Sequence, residues 1–365
     1  MVKLSPKPVL ELTGPNGNVQ AVVETDARSL HFYLFFPDAP DPEAKVKNCW
    51  VRNLQPAPKG HQVAPMKKGQ APMLPAAFCK HPDGAPLPNF MDVEVVWFEE
   101  GNGAALLEAG EPLAIIPPWS GIGGFHGYAR DCTAENNLCW PMPTSDIMPD
   151  RIRAAQQYWS LWDDEDFWTK FRDSLTAPIG KALGGPETKY YAIDGGNWPP
   201  RALLLFDRGD HWLYITVGMS LRPQPNVEMA MDDPSIARRI ELAAALDKTC
   251  PDDELLRFGG YLSAQSNYPW SFYQWFGEGH TVPCDATPPG LGGKTFPAAL
   301  LTSKMPGIPP IKLPPFRGDP INILWVVPIT NAERTLAMKT DSTTLMKKMK
   351  QANAGFVHCK RHSVA

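Results

Sequence analysis

Proline occupies about one position in nine of this chain, 40 of 365. Each proline fixes φ and removes a backbone donor, so it is tolerated in loops, first helical turns and sheet edges but not in helix interiors or central strands. The fold expected is therefore one of short strands and many loops. Twelve tryptophans add large apolar bodies with a single N–H each, suited to cores and to protein interfaces.

Otherwise the composition is that of an ordinary globular chain, 43% hydrophobic and 20% charged. The length implies about two domains and a core that needs no disulfide or metal. A net charge of −4 lacks the basic footprint of a nucleic-acid binder and gives no sign of membrane attraction. Seven cysteines, odd in number and scattered, read as reduced thiols of a cytosolic protein. The lysines near Met1 precede no apolar run, and no segment approaches the roughly 18 apolar residues of a membrane helix. A soluble, cytoplasmic protein is expected.

Residues 9–36 read as a β-meander, with Gly14-Pro15-Asn16-Gly17 as the turn between its first two strands. A strand is expected over 46–54, then a proline-dense loop over 55–88 with one short helix at most. Strands follow over 93–98, 104–107 and 113–116, and a glycine-rich loop over 121–127. Residues 1–148 thus form a small β-rich N-terminal domain. At Asp150 the pattern changes: Ile152, Ala155, Trp159 and Trp162, then Trp168, Phe171 and Leu175, recur at helical spacing. The second domain is assigned to 149–365. In it, 201–206, 212–218, 298–302 and 321–327 read as strands. Residues 236–246 fit a helix or a strand equally. Thr249 is expected to cap a helix carrying Leu255, Phe258, Gly259 and Leu262. Thr330 and Glu333 have capping-box spacing, which predicts a helix over 331–352 with lysines in its last turns.

From about Lys189 onward the order of signals resembles the suppressor of fused family. The strand His211-Trp212-Leu213-Tyr214-Ile215-Thr216-Val217 ends in Gly218-Met219-Ser220, similar to the family's glycine, hydrophobic residue and serine. Arg239 to Leu246 matches the family's next strand, which would settle that segment as β. Gly277-Glu278-Gly279-His280-Thr281-Val282-Pro283 and Leu324-Trp325-Val326-Val327-Pro328-Ile329-Thr330 to Glu333 complete the likeness. The resemblance implies an α+β fold, a mixed and mostly antiparallel sheet with flanking helices, that recognises another protein by adding a partner segment to a sheet edge. Bacterial relatives resemble immunity proteins that bind and neutralise polymorphic toxins. The β-rich N-terminal region, and a chain that closes soon after the last helix, point to that bacterial-type group.

Candidate chemistry is sparse. The loop Gly121-Ile122-Gly123-Gly124-Phe125-His126-Gly127 could bring backbone N–H groups to an anion, but a phosphate site should follow a strand and open a helix, and Pro117-Pro118 stand before it. Cys132 with Cys139, Cys79 with His81, and Cys359 with His362 lack zinc-site spacing. Cys284 lies four residues after His280, a pair as easily explained by a turn and a packed thiol. The acidic run at Asp163 suits a helix start. The basic stretch 347–361 could touch an acidic partner or simply be a wet helix face. Most informative is Tyr268-Pro269-Trp270-Ser271-Phe272-Tyr273-Gln274-Trp275-Phe276, whose aromatics either line a groove or pack in the core.

The expectation is a non-enzymatic protein-binding module without cofactor or metal, plausible as a toxin-neutralising immunity protein. The alternatives are a hydrolase using the Gly121 to His126 loop, or a carbohydrate binder. Partner contacts are expected at Trp212, Tyr214, Thr216 and Ser220, on a sheet edge, and at Tyr268, Trp270, Tyr273, Trp275 and His280.

Overall fold

The computed structural model describes residues 7–15, 17–39, 45–271, 275–284, 295–354, 356–359 and 361–365. They divide into two units, Met1–Asp164 and Glu165–Ala365.

In the first unit the expected meander forms β1 (Lys7–Thr13), β2 (Gln20–Thr25) and β3 (Ser29–Phe35), and β4 (Val46–Asn53) completes an antiparallel four-stranded sheet. Gly14 N–H donates to Val19 O across the first turn; Asn16 lies outside the described residues. The proline-dense stretch after β4 contains one four-residue helix, α1 (Val63–Met66). It is tied down by Asn53, whose side-chain amide donates to Leu74 O and accepts Leu74 N–H. That pairing explains how so long a loop stays on a compact unit.

A second sheet contains β5 (Val93–Trp97), β6 (Ala104–Glu108), β7 (Glu111–Ile116), β8 (Tyr128–Ala129) and β9 (Trp140–Pro141). Period-two alternation gives it two apolar faces. Leu106, Leu113 and Ile116 meet Phe32, Leu34 and Trp50 of the first sheet. Val96, Ala105 and Ile115 meet Met148, Ile152 and Ala155 of α2 (Ile147–Ser160). Because the buried stripe of α2 is spent on this sheet, the units separate after Asp164, later than the 148/149 boundary expected from the change of pattern.

The second unit opens with α3 (Phe167–Leu183), which buries Phe171, Leu175, Ile179 and Leu183 at helical spacing. Its sheet comprises β10 (Lys189–Ala192), β11 (Ala202–Asp207), β12 (His211–Val217), β13 (Arg239–Asp247), β14 (Thr281–Pro283), β15 (Ala298–Thr302), β16 (Ile321–Ile329) and β17 (Val357–His358). The order is β10-β11-β12-β13-β16-β15-β14, with β17 alongside β13; among the described residues of this sheet the β13–β16 and β13–β17 pairs are parallel and the others antiparallel. This is the mixed, mostly antiparallel α+β architecture expected, and the ambiguous segment is the strand β13.

On one face of this sheet Leu203, Tyr214, Leu242, Ala244, Leu324 and Val326 pack against Phe258, Tyr261 and Leu262 of α4 (Asp252–Gln265). Short α5 (Tyr268–Ser271) follows α4. Thr249 does not cap α4: its N–H and hydroxyl turn back to Asp247, and Pro251 occupies the cap. On the other face, the helix expected over 331–352 is two helices, α6 (Asn331–Lys339) and α7 (Ser342–Gln351). The capping box at Thr330 and Glu333 is present. The break comes at Thr340-Asp341, because the Asp341 carboxylate accepts Thr344 N–H at 2.7 Å and starts a second helix.

Candidate partner-binding surface

The residues that carry the sequence resemblance converge on one buried polar knot. The β12–β13 ladder stops at Ile215, paired with Ala243. Beyond it the Thr216 hydroxyl replaces a strand partner, accepting Leu242 N–H at 2.8 Å and donating to the Glu241 carboxylate at 2.7 Å. Gly218 then takes φ +109°, where an added Cβ would lie 2.4 Å from Pro200 O, so only glycine fits. This turn aims the N–H groups of Gly218 and Ser220 at Glu241, at 2.9 and 3.0 Å, and the Ser220 hydroxyl joins them. Burial pushes the Glu241 carboxyl up to about 6 while these donors pull it down. Beside it Arg239 is fully buried, donating to Ser220 O, Leu221 O and Asp319 over the ring of Phe316. Sequence reasoning missed Glu241 and Arg239 because both sit in a strand that otherwise reads as apolar.

Thr216 and Ser220 are wholly buried in this knot, and Tyr214 is buried with its hydroxyl on Leu255 O at 2.9 Å. Trp212 is half-buried beneath the Lys248 ammonium, 4.5 Å from its ring. The strand that holds them is not an edge: β12 is paired on one side to β11 and on the other to β13. Its backbone groups are already bonded, which corrects the expected site of strand addition.

The aromatic segment is also turned mostly inward. Trp270 is 7% exposed, donates its indole N–H to Pro223 O at 2.8 Å, and lies under the Arg222 guanidinium at 4.2 Å. Half-buried Tyr268 stacks on Phe276, centroids 5.5 Å apart. Half-buried Trp275 meets His280 edge to face at 4.5 Å, and His280 Nδ1 lies 3.3 Å from Trp275 O. Tyr273, with Phe272 and Gln274, lies outside the described residues.

Among the described residues the edges are β10 and β14. Every residue of β10 is exposed, Tyr190 and Tyr191 by 41% and 37%. Ile193 N–H bonds to the carbonyl of Arg201, the residue before β11. By antiparallel alternation the N–H groups of Tyr191 and Lys189 face β11 as well, whereas those of Tyr190 and Ala192 face outward. Among the described residues no strand pairs with this outward side.

The nominal chemical motifs are dispersed. The loop at Gly121 forms a single helical turn, Ile122–Gly124, with no helix behind it. His126, half-buried, is held below the ordinary histidine range by burial. Cys284 is buried with its thiol 3.5 Å from the Tyr261 hydroxyl. Cys132 and Cys139 are buried and share the amide of Asn136. Among the described residues no three His, Cys, Asp or Glu side chains gather as metal ligands, and no helix is long and apolar enough to cross a membrane.

Residues 197–361 match the family described as suppressor of fused protein. Among solved structures, a suppressor of fused homologue from Neisseria gonorrhoeae FA 1090 is 15% identical with a TM-score of 0.40, over 54% of this chain and 98% of that one. The Sufu–Fu complex is 15% identical with a TM-score of 0.39, over 53% and 92%. Drosophila suppressor of fused is 13% identical with a TM-score of 0.38, over 52% of this chain and 50% of the fly chain. No curated protein matches the chain.

Proposed function

We propose, from the premise that residues 197–361 form a suppressor of fused domain, that this chain works by holding another protein, an extended segment of which adds as a strand beside β10. The observation that carries this reading is the edge itself: four exposed residues, two of them tyrosines, with outward-facing N–H and C=O groups that no described strand pairs. Unpaired edges are templates for β-addition, in which main-chain bonds supply affinity and side chains on alternate positions supply selectivity. Tyrosine suits such a surface because it offers a large contact with few rotatable bonds.

The narrower reading is of a cytoplasmic immunity protein whose partner is a toxin domain, neutralised by steric cover. What supports it is the match to the suppressor of fused family, together with the β-rich unit that precedes the domain. Affinity purification of the full chain from its source organism, in parallel with Ala192→Pro, tests both levels. Proline at 192 removes an outward N–H and leaves the β11 pairing intact. A stoichiometric protein retained by the natural chain and lost from the variant is expected. A toxin domain as that protein supports the narrower reading. Equal retention by both chains rejects strand addition at β10, and no stoichiometric partner under several conditions rejects protein binding itself.

A further inference from the structure

A groove on the same unit, away from β10, has a chemistry of its own. Ile321, Ile323 and Trp325 alternate onto one face of β16, about 7 Å apart, and floor an open groove of about 780 Å³. One wall is α7. Thr343, Met346, Lys347 and Lys350 stand three, four and seven residues apart, so they share a helix face, while Leu345 and Met349 fill the core beneath. The opposite wall is the segment after β15, which contributes Met305, Ile308 and Ile311, with Lys304 at the rim. Its prolines at 306, 309 and 310 carry no N–H, so this wall offers side chains rather than a ladder.

The charges are lopsided. Lys304, Lys347 and Lys350 are exposed and form no ion pair among the described residues. Of the lining residues only Glu278 carries a carboxylate, and it is already engaged by the Thr302 hydroxyl and Ser303 N–H. An apolar floor under three unpaired cations is complementary to apolar side chains flanked by carboxylates. The volume is that of a pocket that encloses a ligand, and buried apolar anchors inside a polar rim are how peptide grooves gain affinity.

We propose that this groove binds an acidic, amphipathic segment of a partner polypeptide, its apolar side chains on Ile321, Ile323 and Trp325 and its carboxylates on Lys304, Lys347 and Lys350. The proposal rests on the reading of the chain as a protein binder but uses a surface separate from β10, so the two can fail independently.

The test is selection of a displayed random-peptide library on the full chain, followed by anisotropy titration of the selected peptides against the natural chain, K347E/K350E and Ala192→Pro. Both lysines are exposed, so the double variant should keep its fold, checked by circular dichroism. Peptides rich in Asp and Glu among Leu, Ile and Phe are expected. Their affinity should fall at least about tenfold in K347E/K350E, weaken with added salt, and be unchanged in Ala192→Pro. The proposal is overturned by a selection that yields no binder, by binders without acidic bias, or by acidic binders indifferent to K347E/K350E. It is also overturned if phosphatidylglycerol vesicles retain the natural chain and not K347E/K350E, which would assign the groove to a membrane surface. Binding lost in Ala192→Pro but kept in K347E/K350E would support the β10 reading and reject this one.

Discussion

The carboxylate of Glu241 on β13 accepts both the N–H and the hydroxyl of Ser220, at 3.0 and 2.5 Å. With Gly218 N–H and the Thr216 hydroxyl this makes four donors on one buried acid. The contact clamps the end of β12, where it leaves the ladder, back onto β13. The residues that carry the resemblance to the suppressor of fused family thus serve the fold, and the surfaces proposed for a partner lie elsewhere, at β10 and along β16.

Replacing Glu241 with Gln should be costly. An amide oxygen in place of Oε1 can keep Gly218 N–H, Ser220 N–H and the Ser220 hydroxyl, though without the negative charge that strengthens them, while the amide NH2 in place of Oε2 faces the Thr216 hydroxyl and leaves that donor unpaired, at about 1–3 kcal/mol. A loss of about 2–4 kcal/mol in urea unfolding is expected, against about 1 kcal/mol for Ser220→Ala, whose backbone bond survives. Equal and small losses would contradict the clamp.

Gly218→Ala and Gly121→Ala form a matched pair. Both glycines have φ above +100°, but the Cβ at 218 would meet Pro200 O at 2.4 Å whereas at 121 nothing lies within 4 Å. The conformational penalty of about 1 kcal/mol is common to both. Gly218→Ala should lose about 2 kcal/mol more, because the obstacle is backbone and cannot rotate away. Indistinguishable melting temperatures would show that the turn relaxes.

The first unit should weaken in mild acid through His31. This ring is buried on β3, with Nε2 2.9 Å from Pro72 O, and burial lowers its pKa to about 4. The unfolded chain takes up a proton near 6.5 and the folded chain only near 4, so the unfolded state binds more protons between those values. Stability from this residue is complete above about pH 6.5 and is lost as pH falls toward 4, about 3 kcal/mol in all at ~1.4 kcal/mol per pH unit. Hydrogen exchange of β3 amides at pH 7 and pH 4.5, in the natural chain and in His31→Phe, isolates the contribution. A natural chain that weakens no more than the variant would remove His31 as the cause.

Asp319→Asn should destabilise the second unit. Arg239 is 1% exposed, and Asp319 faces it at 3.2 Å while also holding Arg238. Removing the anion takes one carboxylate away from a buried guanidinium, a loss of about 3 kcal/mol. Asp150→Asn, which deletes an exposed pair with Arg153, should change stability by no more than about 0.5 kcal/mol. Urea midpoints of the two variants give the comparison, and similar shifts would argue that the Arg239 pair is effectively solvated.

Much of the architecture was legible residue by residue. Turn residues and short apolar runs located the meander, β5 to β7 and β11, β12, β15 and β16, because a strand bounded by Gly and Pro is marked within its own few residues. The capping box at Thr330 and Glu333 was legible for the same reason: both partners lie within one helical turn. Local signals failed where two of them competed. Asp341 offered a second cap inside what reads as a single helix, and Asp247 took Thr249 away from α4. The candidate surface was least legible. Whether β12 is central or marginal depends on which strands flank it, and β13 beside β16 is an association across about eighty residues of sequence, Arg239 with Ile321.

What the amino-acid order settled by itself was local: strand and loop placement under heavy proline content, and helix starts. Those features arise from dihedral limits and hydrogen bonds between near neighbours. Which aromatics are buried, which acid is clamped, which edge is left open and which lysines ring an apolar floor were decided only when the strands assembled. Burial and charge complementarity are properties of surfaces brought together from distant segments, and no window along the chain contains both sides.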